Sequence, residues 1–202
     1  ATLLWAKSLG NSNNTDAGNS VCIDIYRNVL IAGTFNGTVD FDPGPGTVNL
    51  TSTGSYSAFI VKLDSMGVFQ WAKSFGGTAY ANPATITADD SGNVVTAGNF
   101  FQTVDFDPSN LVFNLTSTGT GGGAFPQPAP SLFIQKLDSG GNFVWALLIG
   151  ANSASSAGSG NANQITSDSS NIYMTGAINL NGTLDFDPGP GVVYSYYTPP
   201  YP

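Results

Sequence analysis

Six aspartates stand in three copies of one short pattern. Asp40 and Asp42 lie in NGTVDFDPGPG (36–46), Asp105 and Asp107 in FQTVDFDPSN (101–110), and Asp185 and Asp187 in NGTLDFDPGPG (181–191). Two residues apart, paired carboxylates project to the same side of an extended strand. Beside the carbonyls of a Gly-Pro turn they could hold calcium, a hard ion that takes roughly six to eight oxygen ligands. Equally, each Asp could cap its own turn, with Pro43 and Pro45 fixing the backbone. Carboxylate pairs also serve glycosidases, but there one acid needs an apolar setting and a fixed separation across the sugar. A pair repeated in three equivalent positions points to scaffolding, since an active site is needed once. There is no histidine, which removes the commonest general base and a common transition-metal ligand together. No nucleophile elbow, phosphate loop or zinc spacing occurs. No catalytic residue is assigned, no cofactor other than calcium is expected, and an enzyme is not.

Five asparagines sit in N-x-S/T sequons: Asn13, Asn36, Asn49, Asn114 and Asn181, while Asn82 is excluded by Pro83. They are candidates for N-linked sugar, although Asn-Gly is also a good turn in its own right. Charged residues make up 9% of the chain, against about 25% in an ordinary domain. Ser, Thr, Asn and Gly fill the surface instead, so covalent glycans or partner subunits are expected to cover much of it. The net charge of −8, with 5 Lys and Arg in all, gives no basic footprint for nucleic acid. No apolar run approaches the roughly 18–20 residues of a membrane helix, so no membrane insertion is expected. Cys22, the one cysteine, excludes an intrachain disulfide and reads as a small buried hydrophobe in VCIDI.

The elements that must position these residues repeat in the same order. A tryptophan marks WAKSLG at Trp5, WAKSFGG at Trp71 and WALLIG at Trp145, and a paired motif precedes two of them, AFIVKLDSMG from Ala58 and LFIQKLDSGG from Leu132. Short alternating runs of Val, Ile, Thr, Tyr and Phe between Gly, Asn and Asp turns read as strands. Strands near 20–25 and 29–35 flank a turn at 26–28, and strands 84–88 and from Val94 flank DDSGN; a third pair flanks Asp168–Ser170. A second hairpin in each unit turns at 65–67 or 139–142. Two hairpins per unit predict a four-stranded antiparallel sheet with the DFDP stretch as a loop between its second and third strands. Tandem sheets of this kind make an all-β fold of propeller blades or a related stacked array. Lys62 with Asp64, and Lys136 with Asp138, are expected to share a strand face and to pair. The three tryptophans and Phe41, Phe59, Phe106, Phe133 and Phe186 are expected in the core and between blades. The insertion 119–131 reads as a surface loop.

The order D-x-x-GN-V-x-T-G-x-F, DF, AFI-x-KLD-x-x-G and W-A-K-S-x-GG resembles the bacterial β-propeller repeats called SBBP repeats. The resemblance implies a propeller-type fold and a secreted or cell-surface location, and it transfers no catalytic residue. Residues 1–10 are expected to be a strand that completes a neighbour's blade, 11–76 the first blade, 77–150 the second, and 151–202 an incomplete third with a Pro/Tyr-rich tail. About two and a half blades cannot close a ring, and unpaired edges are sticky. The expected function is therefore an extracellular structural protein, a subunit of a head-to-tail filament or layer whose partners are copies of itself, completed by strand exchange. The other reading is a binding module for glycan or protein, part of a larger secreted protein.

Overall fold

The computed structural model describes residues 2–10, 15–117, 119–120, 128–149, 158–168, 170–180, 184–185 and 194–195. Among them there are strands and turns and no helix, as the Gly and Pro punctuation and the alternating pattern predict. In chain order the first unit holds β1 (Ala17–Ile23), β2 (Val29–Phe35), β3 (Thr38–Asp40), β4 (Asn49–Thr51), β5 (Ser57–Leu63) and β6 (Phe69–Gly77). The second holds β7 (Tyr80–Ala88), β8 (Val94–Phe101), β9 (Thr103–Asp105), β10 (Asn114–Thr116), β11 (Gly119–Thr120), β12 (Pro128–Ala129), β13 (Ser131–Leu137) and β14 (Phe143–Ile149). The third shows β15 (Gly158–Ser167), β16 (Ile172–Leu180), β17 (Leu184–Asp185) and β18 (Tyr194–Ser195).

The order β1-β2-β5-β6 makes the first blade and β7-β8-β13-β14 the second, antiparallel throughout, and β15 pairs with β16 as the first half of a third. The DFDP stretch departs from the expected loop. It is a small two-stranded ribbon in each unit, β3 with β4, β9 with β10, and β17 with β18. In the second unit the ribbon also leaves its own blade: β9 pairs with the end of β6, Gly76 opposite Asp105 and Gly77 opposite Val104. The insertion begins and ends as a short ribbon, β11 with β12, and its centre lies outside the described residues.

Residues 2–9 hold no strand within this single chain; the strand expected there is one formed in a neighbour's blade. They pack instead against the first blade: Trp5 and Leu9 lie on the apolar cluster of Phe35, Val39, Phe41, Phe59, Val61 and Leu63. The second blade has the matching aromatic set, Phe100, Phe106 and Phe133, and Phe75 of β6 inserts into it. Leu9 and Phe75 stand at the same place in WAKSLG and WAKSFG. Each blade thus takes an apolar side chain from whatever precedes it.

The first strand of each unit carries a bulge, between Gly18 and Ser20, Pro83 and Thr85, and Ala162 and Gln164. A bulge swings one carbonyl across the neighbouring strand, and in all three units it meets a glycine: Gly33, Gly98 and Gly176. A Cβ on Gly98 would run into the Asn82 carbonyl oxygen, and no flexible side chain is there to yield. Gly98→Ala is therefore expected to lower the unfolding free energy by about 3 kcal/mol, the upper end for overpacking. Urea denaturation checks it; a loss no larger than that of an exposed Gly→Ala change would refute the steric account.

Candidate functional site

In the first two units the DFDP carboxylates cap turns. β3 ends at Asp40 and β9 at Asp105, so Asp42 and Asp107 lie beyond the strand and the same-face expectation does not apply. Asp40 Oδ1 accepts the backbone N–H of Asp42 (3.0 Å) and Val48 (2.8 Å), and Asp42 Oδ1 accepts Gly44 (2.7 Å). Asp105 and Asp107 repeat this with Asp107, Phe113 and Ser109. The N–H groups of Val48 and Asp42 hold the Asp40 carboxyl below its ordinary pKa. Among the described residues no three His, Cys, Asp or Glu side chains converge as a metal site. Asp187 and the side chain of Asp185 lie outside the described residues.

A second set of aspartates carries more of the structure. Asp24, Asp64, Asp89 and Asp138 each open a hairpin turn and place Oδ1 on the N–H groups two and four residues on, at 2.8–2.9 Å. Asp168 does the same in a turn one residue shorter, to Ser170 and Asn171. The device needs a left-handed residue near its end, and Gly67, Gly92 and Gly141 supply it with φ of 76°, 76° and 82°. Arg27 fills that place in the first hairpin with φ 65°. A side chain there costs about 1 kcal/mol, so Arg27→Gly is expected to raise stability by roughly that amount, read as a higher urea midpoint with an unchanged slope.

The expected pairing within KLD is not the one formed. Asp64 and Asp138 are occupied by their own turns, and the lysines cross to the other hairpin: Lys62 Nζ lies 2.9 Å from Asp24 and Lys136 Nζ 2.8 Å from Asp89. Burial pushes the Asp89 carboxyl up, but Lys136, the Asn93 amide and two backbone N–H groups outweigh it and bring the pKa to about 2. Asp24 is lowered in the same way: burial acts against it, and Asn28 and Lys62 prevail.

Around these turns the blades dock on one another by a repeated contact. Trp71 Nε1 of the first blade donates to the Ser139 carbonyl in the second blade's 138–141 turn (3.2 Å), and Lys62 Nζ donates to the same oxygen (3.1 Å). Trp5 Nε1 donates to the Ser65 carbonyl in the equivalent turn of the first blade (3.0 Å). The segment around Trp5 therefore occupies the place that β6 holds one unit later. Trp145 is the third of the set, and no acceptor meets its Nε1 among the described residues. A cleft of about 200 Å3 beside it is lined by Asp89, Lys136, Asp168 and Asn171. On the inner side Ser20 Oγ accepts the Ile86 N–H (3.3 Å) and Thr85 Oγ1 accepts the Ile165 N–H (3.2 Å), joining the first strands of successive units. Asn19 Nδ2 reaches Asn82 Oδ1 (2.7 Å) and Asn99 Nδ2 reaches Asn161 Oδ1 (3.0 Å) across the same two boundaries.

Of the sequons, Asn49 and Asn114 are exposed on β4 and β10. Asn36 is half-buried and its amide nitrogen donates to the Ser55 carbonyl. Asn13 and Asn181 lie outside the described residues, as does Phe186. Cys22 is half-buried, and burial, with Asp24 nearby, pushes its thiol up to about 12; it is unreactive at neutral pH. No helix among the described residues is long and apolar enough to cross a membrane.

No protein-family model matches the chain; the likeness to SBBP repeats stands on its motifs. The chain is similar to an uncharacterised WD repeat-containing protein of Acanthamoeba polyphaga mimivirus, 28% identical over 196 aligned residues. The match covers 87% of this chain and 13% of that protein, so the chain spans a small part of its relative's length. This similarity agrees with the propeller-type repeat arrangement of the sheets.

Proposed function

We propose that this chain is a non-catalytic, propeller-type repeat protein whose work is assembly, in which copies join head to tail outside the cell as a filament or layer. The observation that carries this reading is the docking of Trp5 on the Ser65 carbonyl as Trp71 docks on Ser139. The segment around Trp5 stands to the first blade as β6 stands to the second, which marks the place of a preceding unit. A neighbouring copy supplies it in the filament reading. The low charge of the surface supports a life inside an assembly or under sugar, where few charges are needed for solubility.

N-linked sugar on Asn49 and Asn114 belongs to the same reading. Both side chains are exposed and equivalent, whereas Asn36 is half-buried and its amide nitrogen is already held against the Ser55 carbonyl, which leaves less room for a sugar. Mass spectrometry of natural material is expected to find sugar on the peptides containing Asn49 and Asn114; bare peptides at both would remove glycosylation from the account. Electron microscopy of that material tests the assembly itself. Ordered filaments or sheets are the expected result, and discrete particles with a closed ring of blades would sink it.

A binding module is the second reading. It is favoured by a polar cleft of about 220 Å3 between the two blades, lined by Thr51, Ser57, Ser74, Asp105, Asp107 and Ser109, whose hydroxyls and carboxylates suit a sugar. Glycan-array binding without self-assembly would support it.

A further inference from the structure

We infer that a second copy of this chain docks the outward face of its third unit on the outward face of the first blade, through Tyr173 and Thr175 on one side and Val21 and Ile23 on the other. This rests on the self-assembly proposed above and names the surface it uses.

The three units provide the template. Each blade has a face toward the unit before it and a face toward the unit after it. On the strand nearest the neighbouring units, Val21, Ile86 and Ile165 are equivalent, three residues before Asp24, Asp89 and Asp168. Ile86 and Ile165 are each 4% exposed because a preceding blade covers them, whereas Val21 is 64% exposed and Ile23 67%. Opposite registers confirm the side: Val21 pairs with Ile31 and Ile23 with Val29, both on the face that Trp5 and Leu9 partly cover. On the other face Leu30, Val95 and Tyr173 are equivalent, two residues after Asn28, Asn93 and Asn171. Leu30 and Val95 are fully buried under the next unit; Tyr173 is 55% exposed.

The two open faces are therefore the two halves of a contact that the chain already makes twice within itself. Ile86 packs in one cluster with Leu30, Ala32 and Ile60 of the blade before it, and Ile165 with Val95, Ala97 and Ile134. Gln164 stands where Ser20 and Thr85 offer an oxygen to the N–H of Ile86 and Ile165, and in the second copy that N–H belongs to Val21. Tyrosine suits the position, because its ring covers the valine and isoleucine while its hydroxyl keeps a polar partner; here the hydroxyl donates to Asp168 Oδ2 (3.1 Å). The same docking sets the second copy's Trp5 segment beside the third unit, in the relation that β6 has to the second blade. The contact joins unlike faces, so it propagates in one direction and does not stop at a dimer.

Sedimentation velocity over a range of concentrations tests this with three chains: wild type, Val21→Glu with Ile23→Glu, and Tyr173→Glu with Thr175→Glu. The wild type is expected to elongate, each variant to stay monomeric, and an equal mixture of the two variants to give a discrete dimer, since one good face remains on each. All four side chains are exposed in the monomer, so the melting temperatures of the variants should stay close to the wild type, the exposed Tyr173–Asp168 hydrogen bond being the one contact within the monomer that is lost. If the glutamates unfold the chain, Val21→Thr with Ile23→Thr keeps the branched shape and should raise the concentration needed for assembly at least about tenfold. Variants that elongate like the wild type would overturn this interface and leave self-assembly standing. A wild type that stays monomeric throughout would overturn both.

Discussion

Asp24→Ala is expected to lower the unfolding free energy by about 3–5 kcal/mol, the range for removing one partner of a buried ion pair. The substitution acts twice. It strips Oδ1 from the Tyr26 and Asn28 N–H groups, and it leaves the buried Lys62 ammonium without its carboxylate. Asp24→Asn keeps the first contact and loses the second, so the difference between the two variants in urea isolates the ion pair. A pH titration reads the same chemistry. Both carboxyls, Asp24 and Asp89, are lowered by folding, so their stabilisation is present above the unfolded-state value near 3.9. It is lost as the pH falls through the folded-state value, about 2 for Asp89. That one residue contributes about 2 kcal/mol across the window. Stability that is flat from pH 5 to pH 2 would show that the lysine–aspartate pairs contribute nothing.

Phe106→Ala is expected to cost about 3–5 kcal/mol, the range for deleting a buried aromatic side chain. The ring is fully buried and lies 5.4 Å from Phe75, 5.3 Å from Phe100 and 4.9 Å from Phe133. Those three come from β6, β8 and β13, so one side chain joins two blades. Its backbone is fixed as well: the buried Gln135 donates Nε2 to the Phe106 carbonyl (2.6 Å) and accepts from Thr96 Oγ1. Gln135→Leu therefore leaves a buried carbonyl and a buried hydroxyl without partners, at about 1–3 kcal/mol for each group. Chemical denaturation of Phe106→Ala and Phe106→Leu orders these effects; a loss below about 1 kcal/mol for alanine would mean that the cluster refills.

Much of this fold was legible in the chain. Alternation and the Asp, Asn and Gly turns gave the hairpins, and equivalent motifs gave the order β1-β2-β5-β6, because a side-chain period of two and a left-handed turn residue are local properties. The lysine partners were not legible. Spacing of two on a strand pointed Lys62 at Asp64, but β5 ends at Leu63, and Asp64 turns back to cap its own hairpin. Asp24 comes from the first hairpin of the unit, and only the pairing of β2 with β5 brings it to Lys62. The DFDP stretch misled for a related reason. Its Pro and Gly residues read as a loop, while the Thr-Val-Asp before them and Asn-Leu-Thr after them pair across it. For the docking of Trp5 the tryptophan repeat was a signal, yet the acceptor is a backbone carbonyl, which no side-chain pattern marks.

The ribbon of the second unit hydrogen-bonds to the last strand of the first, so β9 and β10 belong to the first blade's sheet while the chain that carries them continues into the second. Opening either blade alone would tear that seam and bare a sheet edge in the other. Amides of β6 and β9 are thus expected to exchange with solvent in a single cooperative step rather than blade by blade. In a column of such units the same seam would tie the melting of each to its neighbour, and resistance to heat and proteolysis would grow with length.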